Sequence, residues 1–99
     1  MTLDQLRQKI DLLDTRLVRI LNQRAALALK IGSEKRRCGA PLLDPARERQ
    51  VLARIRESGR GPLAPEQLEA IYAVIMNKCT QIQARTAFSV KRPRKGKPA

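Results

Sequence analysis

At 99 residues the chain has room for one domain, and with Tyr72 and Phe88 as its only aromatics the core has to come from Leu, Ile, Val and Ala. Such a core suits packed helices better than a β-sandwich, which draws on aromatic and β-branched residues. The absence of histidine removes the usual general base and the commonest metal ligand, while a net charge of +12 points to an anionic partner, either nucleic acid or a small acidic substrate.

The opening segment, MTLDQLRQK, is amphipathic and lacks the apolar run of a signal peptide. No stretch approaches the ~20 apolar residues of a membrane span. Cys38 and Cys79 stand far apart, with neither metal-type nor redox-type spacing. Two free thiols in a reducing, cytoplasmic setting are the expectation.

Thr2 with Gln5 three residues on reads as a capping box. Behind it, Leu3, Leu6, Ile10, Leu13, Leu17, Ile20, Leu27 and Ile31 recur in steps of three and four, broken by one gap of seven. This is the seam of a long, coiled-coil-like helix. It ends near Cys38 and Gly39, with Pro41 beyond. Asp44 followed by Pro45 starts a second helix, which runs to about Ser58 with Val51, Leu52 and Ile55 inward. Gly59, Gly61 and Pro62 stop it. Pro65 and Glu66 open a third helix with the seam Leu68, Ile71, Tyr72, Ile75, Cys79 and Ile82. The pattern fades after Ala87, so the helical domain is placed at residues 1–88. Residues 89–99 form a basic tail, predicted to be disordered, that carries Lys91, Arg92, Arg94, Lys95 and Lys97 and no acid.

The first helix is too long for its own chain. Thirty-six residues make a rod of ~54 Å, against a radius of gyration near ~13 Å for a compact domain of this size. Two shorter helices cannot cover its seam, and exposed apolar surface costs ~25 cal/mol per Å². A second copy is the natural cover, which predicts an all-α homodimer of intertwined three-helix chains.

Some polar residues fall on faces that should be apolar. Arg24 occupies the inward slot between Ile20 and Leu27, and the face continues through Ala28 and Ile31 to Lys35. Arg24 and Lys35 are eleven residues apart, close to three turns, so both point the same way. A lone seam arginine is best explained by snorkelling or an internal salt bridge. Two cations on one face with few acids nearby in sequence favour an anion pocket, because a buried cation is costly without an anion. On the third helix Cys79 and Gln83 share the inner face; each alone reads as structural, but a buried amide needs partners. Asp44 is explained locally as a cap, and Arg47 and Glu48 as a solvated first turn. Arg7 lies ~25 Å from Arg24 along the rod and points ~100° away, so only an antiparallel second chain could bring the two together.

Taken together, these positions resemble the all-helical (type II) chorismate mutases. The segment LRQKIDLLDTRLVRILNQRAALALKIGSEK (6–35) is similar to that family's first helix, with its I-D-x-L-D core, Gln-Arg pair and terminal G-x-x-K. PLLDPARERQVL (41–52) resembles its loop and second-helix start, and IYAVIMNKCTQIQ (71–83) its third helix. The likeness spans about residues 3–86.

The resemblance implies the Claisen rearrangement of chorismate to prephenate, with no cofactor, no metal and no nucleophile. By position it makes Lys35, Gln83 and Arg24 the catalytic residues. Arg24, and Arg7 from the partner subunit, would clamp substrate carboxylates; Lys35 would contact a carboxylate and the ether oxygen. Gln83 would donate to the same ether oxygen, Glu48 and the backbone at Asp44 would hold the ring hydroxyl, and Arg47 would line the site. Cys79 departs from the serine often found there. Two alternatives stand beside this reading: an isochorismate pyruvate lyase on the same scaffold, and a basic nucleic-acid-binding helical dimer. The latter is disfavoured by the lack of interleaved aromatics and of a recognised binding module. A purely structural dimerisation domain would explain the seam but not the polar inner faces.

Overall fold

Local capping chemistry sets where the helices begin and end. The computed structural model describes residues 1–91, with side-chain surroundings for residues 1–86, and the described residues form three helices and no strand. Helix α1 spans Leu3–Cys38. The Thr2 hydroxyl accepts from the Gln5 amide at 3.1 Å, and the Gln5 side chain accepts from the Thr2 amide at 2.9 Å, closing the capping box. At the other end Gly39 adopts φ 76°, the left-handed cap that a Cβ would strain, and Ala40 N–H donates to the Lys35 carbonyl at 2.8 Å. Helix α2 spans Pro45–Ser58 behind the Asp44 cap, whose carboxylate accepts from Arg47 N–H at 3.1 Å.

Helix α3 spans Pro65–Lys91, three residues past the domain end expected from sequence. Apolar periodicity weakens there, but no glycine or proline stands between Pro65 and Pro93 to interrupt the backbone. The rest of the basic tail, residues 92–99, lies outside the described residues.

α3 is the shared element: α1 and α2 each pack against it, and among the described residues they form no comparable packing with each other. The stripe of α1 that meets α3 differs from the leucine–isoleucine seam. Leu21, Ala25 and Leu29 are half-buried and Ala28 and Gly32 buried, so mostly small residues let the helices approach closely. On α3 the inward positions are Tyr72, Met76, Cys79 and Gln83, whereas Ile71, expected inward, is 49% exposed. Val51 of α2 is buried as expected, with Leu52 and Ile55 half-buried. Exposed ion pairs from Arg56 to Glu69 (3.1 Å) and Glu66 (3.6 Å) bridge α2 to α3, and such pairs contribute little.

Gly32 of α1 packs closely against Gln83 of α3. A Cβ there would stand 3.2 Å from Cγ of Gln83 and 3.4 Å from its Cβ. Gly32→Ala should gain about 1 kcal/mol of helix propensity and lose about 1–3 kcal/mol to overpacking. The expected result is a net loss of about 1 kcal/mol in urea unfolding at fixed chain concentration; a variant more stable than wild type would show that the contact has slack.

The result is a flat molecule, 55 × 36 × 14 Å, with a radius of gyration of 17.5 Å. No helix among the described residues is long and apolar enough to cross a membrane. The seam from Leu3 to Ile31 stays 47% to 61% exposed within the chain.

Candidate active site

Where α1 and α2 diverge over α3 they leave a cavity of about 300 Å³. α1 supplies Arg24, Leu27, Ala28, Ile31 and Lys35 to its wall, and the following loop supplies Leu42 and Asp44. α2 adds Arg47, Glu48, Val51 and Arg54, and α3 adds Met76, Cys79, Thr80 and Gln83. Seven of the eight site residues expected from sequence therefore line one cavity, although they come from three helices and a loop. Arg7 does not. It sits exposed in the second turn of α1, as the length of the rod requires.

Each polar group is held without being neutralised. Arg24 is half-buried; its Nη1 donates to Sγ of Cys79 at 3.4 Å, and its guanidinium lies over the Tyr72 ring, 5.4 Å from the centroid. Lys35 Nζ donates to the Leu42 carbonyl at 2.8 Å, which ties the end of α1 to the loop and leaves two of its three N–H bonds free for other acceptors. Gln83 is only 7% exposed, and its Nε2 donates to the Ala28 carbonyl at 2.6 Å. A carbonyl can only accept, so this contact fixes which end of the amide is the donor and leaves the second N–H of Nε2 available. Arg47 turns its Nη1 to Gln50 at 2.7 Å, along α2. Both cysteines are free, Cys38 exposed and Cys79 buried.

Four cations, Arg24, Lys35, Arg47 and Arg54, face two carboxylates, Asp44 and Glu48, across this cavity. Among the described residues none of the four is in a salt bridge. An excess of two positive charges over apolar walls of Leu27, Ile31, Val51 and Met76 is complementary to a small dianion with a hydrocarbon body.

The sequence reading missed Arg54 and Thr80, which line the cavity, and the contact of Arg24 with Tyr72, which lies outside it. Arg54 had a usable signal: Arg47, Val51 and Arg54 fall at i, i+4 and i+7 on α2, one face of the helix. Tyr72 was legible only as an apolar seam residue, because its contact with Arg24 joins two helices.

The family model for chorismate mutase type II matches residues 6–84. A bifunctional chorismate mutase/prephenate dehydratase from Aquifex aeolicus (strain VF5) is 32% identical over 96 residues, covering 93% of this chain and 26% of the relative. A chorismate mutase from Methanocaldococcus jannaschii is 34% identical over 55 residues, 56% of either chain. The chain thus spans about a quarter of the first and about half of the second. The solved structure of chorismate mutase (Form II) from Thermus thermophilus superposes with a TM-score of 0.81 at 27% identity, covering 83% of this chain and 93% of that one. With a match that covers most of its length and the same helical fold, the chain belongs to the type II chorismate mutase family.

Proposed function

We propose that the chain is a chorismate mutase: it rearranges chorismate to prephenate in the cavity between α1, α2 and α3, as a homodimer and without a cofactor. The observation that carries this reading is the set of un-neutralised donors, Arg24, Lys35 and Gln83, converging on one cavity. A pericyclic rearrangement needs no proton transfer and no nucleophile. The protein has to select the compact diaxial conformer of the substrate and stabilise the charge that grows on the ether oxygen as its C–O bond breaks.

Arg24 pairs with one substrate carboxylate through its planar fork. The free N–H bonds of Lys35 and the second N–H of Gln83 meet the ether oxygen. Glu48, with the backbone at Asp44, holds the ring hydroxyl, and Arg47 lines the site. Arg7 completes the clamp from the partner subunit. The flat shape supports the dimer, because a chain 14 Å thick is a single layer of helices and a stable core needs two.

Offering chorismate and isochorismate separately to the purified protein, with products separated by chromatography, tests the reading. Prephenate from chorismate, with isochorismate unchanged, is the expected pattern. Release of pyruvate from isochorismate, with chorismate unchanged, would make the chain a lyase on the same scaffold. Loss of neither substrate, alongside tight binding to duplex DNA with a steep salt dependence, would move the partner to nucleic acid.

Two further outcomes follow from single side chains. Glutamine donates at any pH, so wild-type turnover is expected to stay nearly flat from mildly acidic to neutral pH. Gln83→Glu should turn that flat profile into one that falls as pH rises, since only the protonated acid donates; a sharp fall in the wild type itself would remove Gln83 from the ether oxygen. A thiol is a weak donor, so Cys79→Ser is expected to lower KM by about two- to tenfold, the worth of one ordinary hydrogen bond, with kcat little changed. An unchanged KM would show that this position does not reach the substrate.

A further inference from the structure

The mechanism leaves unexplained how Arg24 is held. It reaches from α1 across α3, and among the described residues no carboxylate pairs with it. Its neighbours are the Tyr72 ring, 5.4 Å from the guanidinium, and Cys79 Sγ at 3.4 Å. Tyr72 and Cys79 are seven residues apart on α3, two turns along the same face, so together they make a cradle for the guanidinium. We infer that Tyr72 is a positioning residue for the rearrangement: its ring face holds the Arg24 guanidinium in the orientation presented to the substrate carboxylate.

This inference rests on the mutase reading above and extends it to a residue that reading does not use. An aromatic face suits the task for a chemical reason. A carboxylate in its place would form an internal ion pair and compete with the substrate for the same fork. The ring attracts the cation through its quadrupole and occupies none of its N–H bonds. Of the five guanidinium hydrogens, among the described residues only the one directed at Cys79 is engaged. The Tyr72 hydroxyl has no hydrogen-bond partner among the described residues, so the ring and not the phenol is what acts. The bland role for Tyr72 is packing: it also lines an apolar cavity of about 360 Å³ with Ile55, Leu63 and Leu68. That role needs bulk, whereas holding Arg24 needs an electron-rich face.

Steady-state kinetics on the full chain separates the two. Tyr72→Phe should keep KM for chorismate within about twofold of wild type, and Tyr72→Leu should raise it by roughly three- to tenfold with kcat largely retained. Pentafluorophenylalanine placed at position 72 keeps the shape and reverses the ring quadrupole, so it tests the face even if the leucine variant folds poorly. It should raise KM by a similar factor relative to phenylalanine at an unchanged melting temperature. Equal KM for the phenylalanine and pentafluorophenylalanine proteins would overturn the inference while leaving the mutase reading intact. If the wild type itself leaves chorismate unchanged, the mutase reading fails and the inference falls with it.

Discussion

Replacing Lys35 with alanine is expected to lower kcat for chorismate by about 100- to 1000-fold, or roughly 3–4 kcal/mol of barrier, the usual cost of deleting one preorganised donor to a developing anion. Lys35 sits in the last turn of α1, tethered to the Leu42 carbonyl at 2.8 Å, so its ammonium is placed before substrate arrives. Under the proposed mechanism, that anchoring would let a flexible side chain act as a fixed charge. Because the effect falls on charge present only in the transition state, kcat should drop far more than KM rises. The fold should survive, since the side chain is half-exposed and takes no part in the buried core. Circular dichroism together with single-turnover rates checks both halves. Near-normal turnover in a folded Lys35→Ala protein would remove Lys35 from the mechanism.

The second large effect concerns Arg7. Arg7→Ala alone should be close to inactive, and so should Lys35→Ala, yet refolding the two together should restore activity. If Arg7 serves the partner's site, a hybrid dimer has one site with both residues intact and one with neither. Random pairing would then return about a quarter of the wild-type sites. No recovery on mixing would place Arg7 outside the partner's site. The energetic case for a dimer is separate from this geometry. Each of the eight seam residues from Leu3 to Ile31 is about half exposed. Covering them would contribute on the order of 10 kcal/mol per chain, comparable to the whole net stability of an ordinary domain.

The helix limits were legible because caps are local. Thr2 with Gln5, Asp44 with Pro45, and Gly39 each settle a terminus with residues a few positions apart, and the structure places the ends there. The packing faces were less legible. Apolar periodicity marks Leu13, Leu17 and Ile20 because they are large, but it cannot say which neighbour covers them. The stripe that meets α3 depends on Ala28, expected inward, and on Gly32, whose value is its small size and which a hydrophobicity pattern passes over. On α3 the same limit turned the expected seam by part of a turn, favouring Ile71 over Met76.

The candidate site divides along similar lines. Arg24, Lys35 and Gln83 stood out as polar groups on inner faces. Asp44, Arg47 and Glu48 looked like an ordinary helix start, and only the family resemblance singled them out. In the structure Asp44 is a cap and a cavity wall at once. Residue pairs such as Arg24 with Tyr72, or Gln83 with the Ala28 carbonyl, are separated by about fifty residues and arise only when α3 docks on α1.

The most direct test of the central claim is to follow chorismate with wild-type protein and with Arg24→Ala side by side. The expected result is prephenate from the wild type in the presence of a metal chelator, and loss of that activity in a variant that still folds. Chorismate left unchanged by folded wild-type protein, or turned over equally well by Arg24→Ala, would contradict it.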